Sequence, residues 1–294
     1  MKSQIRIGLL GTGLMGQPVA RRLAAAGYAV AVWNRSPEKA LPLTRAGITI
    51  KQSSAQLLAD SDVIICLLSD ATACDQVIFN QDALHSVGKN TTIIMMSTLS
   101  PDIVVEQARK ASSVQAHYID MPVSGGTIGA EKGSLSLMAG GDRKIVDSLR
   151  PLLSHLGKVT HVGGVGAGQL TKLANQIIVA GTLSLLSEAF TLAQQGGADP
   201  AKVREALLGG FADSTLLQHQ GERMVKGDFE ARGAAKWQLK DTRSAVALAK
   251  QLDLTLPLTE TVNQLFSQMI DAGEGELDHC AIIKQIQRLN NVLI

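Results

Sequence analysis

From Ile5 to about Val162 the chain alternates short apolar runs, rich in β-branched residues, with stretches whose apolar positions recur every three or four residues. Side chains alternate faces along a strand and return to one face with each helical turn, so this pattern predicts βαβ units around a parallel sheet. Strands are predicted at Ile5–Leu10, Ala29–Trp33, Asp62–Leu68, Thr92–Met96 and Ala116–Asp120, with weaker ones near Leu135–Ala139 and Val159–Val162. Helices are predicted at Pro18–Ala26, Pro37–Ala46, Ser54–Leu58 and Pro101–Ser112. Beyond Gly168 the strand pattern fades and helical spacing takes over, broken at Gly196–Pro200, Gly209–Gly210, Gly227–Gly233, Pro257 and Gly273–Gly275. Glycine and proline disfavour helix interiors, so these breakers mark off helices of ordinary length. The expected architecture is an α/β doubly wound sheet domain over residues 1–163, followed by an all-α helical domain over 164–294.

The apolar stretch from Leu170 to Phe190 approaches membrane-spanning length, but Lys172, Asn175, Gln176 and Glu188 lie within it. It reads as a helix buried on most sides between domains or subunits. With 294 residues, 45% of them hydrophobic, the chain can fill two cores, and aromatics at 3% make those cores aliphatic. A formal net charge of +2, evenly spread, supplies no basic surface for nucleic acid or an anionic membrane, and neither is expected as a partner. The cysteines, Cys66, Cys74 and Cys280, are odd in number and contain no C-x-x-C pair, so no disulfide framework or metal site is expected. The opening MKSQIRIGLLGTG lacks the small-residue cleavage site of a secretory signal. A reducing, cytoplasmic location is the simplest expectation.

Gly11-Thr12-Gly13-Leu14-Met15-Gly16 directly follows the first predicted strand and opens the first predicted helix. That context makes it a dinucleotide fingerprint. Gly11 gives the tight turn, Gly13 lets backbone approach a pyrophosphate, Gly16 lets helix and strand pack closely, and the helix N-terminus faces the phosphate charge. The alternative is that the glycines serve only as turn residues. A Rossmann-type first domain is therefore expected. At the end of the second strand, where an acidic residue would bind a free ribose 2′-hydroxyl, the chain reads Asn34-Arg35-Ser36. Arg35 can pair with a 2′-phosphate while Asn34 and Ser36 donate hydrogen bonds, which favours NADP, with NAD as the alternative. Arg35 as a solvated loop residue is the competing account.

In the stretch GVGAGQLTKLANQ, Lys172 and Asn175 are three residues apart and Gln176 follows, so the three project from one helical face. On a face otherwise built from Leu, Ala, Ile and Val, a lysine and two amides are costly without a partner or task. A positioned ammonium can protonate the oxygen that gains charge when hydride reaches a carbonyl carbon, and the neutral amine can serve the reverse step. A lysine snorkelling from a helix end is the competing account. Ser124, Gly125 and Gly126, within DMPVSGG, follow a predicted strand end and combine a hydroxyl with unhindered backbone N–H groups that can hold a carboxylate, although a turn without ligand fits the spacing equally well. Thr98, after another strand end, can reach the nicotinamide ribose or ring.

Taken in order, GLLGTGLMGQPVA, DMPVSGG, GAGQLTKLANQ and Lys240-Asp241 in WQLKD resemble the β-hydroxyacid dehydrogenases, the group that includes 3-hydroxyisobutyrate dehydrogenase, over nearly the whole chain. The resemblance implies Lys172 as general acid–base, Asn175 orienting it or the substrate, Ser124, Gly125 and Gly126 binding a substrate carboxylate, and Lys240 placing positive charge near cofactor and substrate. It also implies a homodimer or homotetramer. The block from Gly209 to Phe229 and the late Asp278-His279 are most similar to the tartronate semialdehyde (2-hydroxy-3-oxopropionate) reductases, which implies reduction of that aldehyde to glycerate with NADPH. Ala231-Arg232-Gly233-Ala234, Trp237 with Leu239, and Ser69-Asp70 depart from that group's pattern and leave the substrate open. NAD-dependent oxidation of a 3-hydroxyisobutyrate-type acid is one rival reading, and a non-catalytic NADP-binding module is the other.

Overall fold

The computed structural model describes residues 5–292. The expected domain limits run to residues 1 and 294, and the N-terminal segment read as lacking a signal starts at Met1; residues 1–4 and 293–294 lie outside the described residues.

Strand β1 (Arg6–Leu10) turns into helix α1 (Gly16–Ala25) and β2 (Ala29–Trp33), and the short β3 (Thr49–Ile50) and α2 (Ser54–Ala59) lead to β4 (Val63–Cys66). After α3 (Ala71–Cys74) and α4 (Gln81–His85) come β5 (Thr92–Met95), α5 (Pro101–Ser113) and β6 (His117–Asp120). The rest of the first half is β7 (Val123–Ser124), α6 (Gly126–Lys132), β8 (Leu135–Gly141), α7 (Arg143–Leu153) and β9 (Gly157–Gly163). Six strands lie parallel in the order β3-β2-β1-β4-β5-β6; β8 runs antiparallel to β6 and β7, and β9 parallel to β8.

Alternate residues explain the double winding. Ile7, Leu9, Val63 and Ile65 join α1 and α7 side chains in one core, whereas Leu10, Ile64, Cys66, Ile93 and Met95 join α2 and α5 side chains in another. The sheet is thus buried on both faces, which is why its central strands read as unbroken apolar runs. All seven strands expected from the sequence form. The two that were not expected, β3 and β7, are two residues long and too short to show a period. The helix expected over Pro37–Ala46 does not form: two 3-10 turns, Pro37–Lys39 and Leu41–Ala46, take its place. Pro42 supplies no amide hydrogen and disfavours α-helical backbone at Leu41.

The chain divides into compact units at residues 1–172 and 173–294, inside the 29-residue helix α8 (Ala167–Gln195). The second unit continues with α9 (Pro200–Leu207), α10 (Glu222–Lys226), α11 (Ala235–Gln251), α12 (Pro257–Asp271) and α13 (Ile282–Leu289), and its gaps coincide with the glycine and proline breakers. Its core gathers Leu183 and Phe190 of α8 with Leu239, Phe266 and Ile282. By length and composition α8 could cross a membrane, with mean hydropathy 1.5 and 39% of that stretch buried. Ile178, Leu185 and Leu192, spaced by seven residues, are exposed along it.

A buried carboxylate organises the late part of this unit. Asp278 accepts hydrogen bonds from the backbone N–H groups of Arg232 (2.8 Å) and Gly233 (2.9 Å) and pairs with Arg223 at 3.0 Å. Arg223, itself buried, also bonds Asp228 at 3.1 Å. Burial pulls the Asp278 pKa upward, but His279, the two amides and Arg223 outweigh it and hold the carboxyl below its ordinary value. The block from Gly209 to Phe229 and the Asp278-His279 pair, whose role is opaque in sequence, therefore share one ion-pair network. Cys66, Cys74 and Cys280 are buried free thiols, the first two 3.7 Å apart.

Candidate active site

Because β1, β2, β4, β5 and β6 are parallel, their C-terminal ends share one edge of the sheet, where ligands of doubly wound folds sit. The glycine turn, Asn34-Arg35-Ser36, Thr98 and Asp120 all follow or end these strands. Gly11 has φ 95°, and a Cβ on Gly16 would stand 1.9 Å from the Gly11 oxygen, so neither position accepts another residue without rearrangement. Gly13 is exposed, with open space where a Cβ would be. The turn is braced from β2: Gly11 N–H donates to the Trp33 carbonyl at 3.0 Å and Thr12 N–H to Asn34 Oδ1 at 3.0 Å.

Asn34 Nδ2 in turn donates to the Ser36 carbonyl at 2.9 Å. Its amide thus ties the glycine turn to the loop that presents the exposed Arg35. Leu14 and Met15 complete the turn ahead of α1, Leu14 exposed and Met15 packed against the core. Ser124 ends β7, half-buried, and Gly125 and Gly126 follow with φ 128° and 62°, their backbones exposed at the start of α6.

Lys172 stands half-buried near the start of α8, whose first turn is fastened to the strand ends. Asp120, fully buried at the end of β6, accepts from the N–H groups of Gly166 and Gln169, each at 2.8 Å. Burial raises the Asp120 pKa, and these backbone N–H groups oppose the rise. A carboxylate at a helix N-terminus also complements the helix dipole. Close approach is obligatory here, because a Cβ on Gly168 would lie 2.4 Å from the Met138 carbonyl oxygen and 2.6 Å from that of Asp120.

In the second unit a chain of polar groups orients Asn175. Asp241, buried on α11, accepts from Gln176 Nε2 at 2.7 Å, and Gln176 Oε1 accepts from Asn175 Nδ2 at 2.8 Å. A carboxylate can only accept, so it fixes which way both amides face and leaves the Asn175 carbonyl oxygen as the end of the chain. Lys240 is half-buried and pairs with Asp241 at 3.3 Å. Asp120, Gln169 and Asp241 lie within the sequence motifs but are given no role there; the one available signal is a polar residue inside an apolar or motif segment.

Comparison with known proteins fits this geometry. Residues 6–164 match the family described as the NAD binding domain of 6-phosphogluconate dehydrogenase. Residues 166–286 match the family described as NAD-binding of NADP-dependent 3-hydroxyisobutyrate dehydrogenase. The 2-hydroxy-3-oxopropionate reductase of Escherichia coli (strain K12) is 38% identical over 289 residues, covering 98% of this chain and 99% of its own. The chain belongs to the β-hydroxyacid dehydrogenase family. A second member, the probable 3-hydroxyisobutyrate dehydrogenase-like 1 protein, mitochondrial, of Arabidopsis thaliana, is 35% identical over 99% of this chain and 88% of its own. The crystal structure of 3-hydroxyisobutyrate dehydrogenase from Salmonella typhimurium superposes with a TM-score of 0.87 at 26% identity, covering 95% of this chain and 99% of that one.

As a β-hydroxyacid dehydrogenase the chain is an oxidoreductase with an NAD(P)-binding Rossmann domain followed by a helical domain. Its own residues suit the cofactor. The backbone at Gly13 is open, Arg35 is exposed beside the turn, and the buried Thr12 hydroxyl has no hydrogen-bond partner among the described residues. Among the described residues no cluster of three or more His, Cys, Asp or Glu side chains could hold a metal ion.

Proposed function

We propose that this β-hydroxyacid dehydrogenase is an NADPH-preferring reductase of a small aldehyde or keto acid bearing a carboxylate, with tartronate semialdehyde, reduced to glycerate, as the leading substrate. The observation that carries the reading is the fastening of α8 to the ligand-binding edge of the sheet, one turn before Lys172. A lysine held there can give a proton to the carbonyl oxygen as negative charge develops on it. When bound, the reduced nicotinamide supplies the hydride. The turn Gly11 to Gly16 would hold the pyrophosphate, Arg35 and Ser36 the 2′-phosphate with Asn34 shaping their loop, and Thr98 the nicotinamide end. Ser124, Gly125 and Gly126 would take the substrate carboxylate, Asn175 would orient Lys172 or substrate, and Lys240 would add positive charge.

The likeness to the 2-hydroxy-3-oxopropionate reductase supports the substrate, and the lack of an acidic residue at the end of β2 supports NADPH. NAD-linked oxidation of a 3-hydroxyisobutyrate-type acid is the second reading, supported by the plant relative. The functional domains are assigned as 1–163 for the nucleotide and 164–294 for substrate and assembly, in a cytoplasmic homodimer or homotetramer.

The test is cofactor oxidation by purified protein with tartronate semialdehyde, glyoxylate, succinic semialdehyde and methylmalonate semialdehyde, each with NADPH and NADH. Fastest NADPH-dependent turnover of the first is expected. Preference for another aldehyde reassigns the pocket, preference for NADH overturns the cofactor assignment, and binding of NADPH without turnover of any member favours a different substrate class or the non-catalytic module.

A further inference from the structure

Gln169 is fully buried, and its amide is engaged at both ends within the first unit. Nε2 donates to the Ser97 carbonyl at 2.8 Å, and Oε1 accepts from Leu99 N–H at 3.0 Å. These two backbone groups flank Thr98. Gln169 is also the residue whose own N–H is held by Asp120, and it lies three positions before Lys172 on the same helix. A helix rises about 1.5 Å per residue, so one short rigid segment separates the amide from the lysine backbone.

Resting on the reading of Lys172 as the acid–base group and Thr98 as a cofactor contact, we infer that Gln169 is a positioning residue that sets the distance between the loop holding the nicotinamide end and the catalytic lysine. The donor–acceptor pair matters because it fixes the loop in two places. An apolar side chain of equal volume could fill the space, but it would remove both bonds that tie the Ser97–Leu99 loop to α8 and leave that loop free to shift against the helix, which Asp120 still holds. A displacement of roughly 1 Å at a reacting centre can cost on the order of 100-fold in rate.

The experiment compares the full-length wild type with Gln169→Met, Gln169→Glu and Lys172→Ala, using tartronate semialdehyde and NADPH, or glyoxylate if it is turned over faster. Readouts are kcat per folded molecule, KM, the NADPH dissociation constant and the circular dichroism melt. For Gln169→Met, kcat should fall about 100-fold, with NADPH affinity within about threefold because the pyrophosphate contacts are untouched. Gln169→Glu keeps the acceptor but, ionised, loses the donor. A protonated carboxyl restores both, so its kcat, taken relative to wild type at the same pH, should recover as pH is lowered from about 8 to about 5.

That variant in acid keeps the test decisive if Gln169→Met does not fold. Loss of melting temperature with unchanged kcat per folded molecule would show a purely structural amide and overturn the inference. So would a folded Gln169→Glu variant with no acid recovery. Full activity in Lys172→Ala would instead remove the reading on which the inference rests, whereas an inactive Lys172→Ala beside a fully active Gln169→Met would leave that reading standing and sink the inference alone.

Discussion

At the scale of single residues, the proposed preference for NADPH rests on Arg35. Its exposed guanidinium stands after β2, on a loop braced to the glycine turn through Asn34. Replacing Arg35 with Asp should lower kcat/KM for NADPH by about one to two orders of magnitude, the range of a lost charge-assisted contact, and change that for NADH less than about threefold. Equal losses with both cofactors in steady-state assays would contradict the NADP assignment. The place of Arg35, exposed just after β2, is legible in sequence from the strand end, and its pairing with a 2′-phosphate is the part that this substitution tests. Asn34 is only half legible: its residue type suggests a donor to ligand, whereas its amide is engaged by Thr12 and Ser36. Gln169 and Asp241 carry no such marker, since their partners are backbone or side-chain groups distant in the chain.

Among elements, α8 and the loop before α11 show what the motifs encode. Gly168 reads in sequence as one more glycine of a family motif. In the fold it is the point where the helix meets the carbonyls of Met138 and Asp120, and only contact between distant segments reveals that. The seven longer strands were legible to within two residues at each end because a sheet buried on both faces needs continuous apolar runs, whereas β3 and β7 are too short to show a period and the Pro37–Ala46 segment misled because its helical spacing concealed Pro42. The Asp278 network has a measurable stability consequence. Removing one member of a buried ion pair costs about 3–5 kcal/mol, so Asp278→Asn should destabilise the protein by that order at neutral pH. The wild-type advantage belongs to a carboxyl whose folded pKa is depressed. It is fully present above the ordinary value of 3.8 and is lost as pH falls through the lower, folded-state value. Urea melts of both proteins between neutral pH and acid should therefore converge at the acid end, and a constant gap would mean that the charge of Asp278 is not the cause.

For the whole molecule, composition and periodicity sufficed for an α/β half and a helical half. They could not show that the compact units divide within a continuous helix, because hydropathy does not record which neighbours hold its first turn. We propose that a homo-oligomer would use the row formed by Ile178, Leu185 and Leu192, which is exposed along α8. Residues seven apart share a helix face, and a polar charge there disfavours apolar packing. Leu185→Glu should reduce the mass measured by light scattering after size exclusion while leaving helical circular dichroism unchanged. A wild-type protein of monomeric mass would remove the proposal.

The three cysteines turn the chain into its own stopwatch. Cys66 and Cys74 lie in the first unit and Cys280 in the second, and all three are buried. Contact with Cys66 and burial raise the Cys74 pKa, and burial raises that of Cys280, so alkylation at neutral pH waits for exposure. Mass spectrometry of alkylated peptides would then time the opening of each unit on one unmodified protein, two tags marking the nucleotide half and one the helical half, with no engineered probe required.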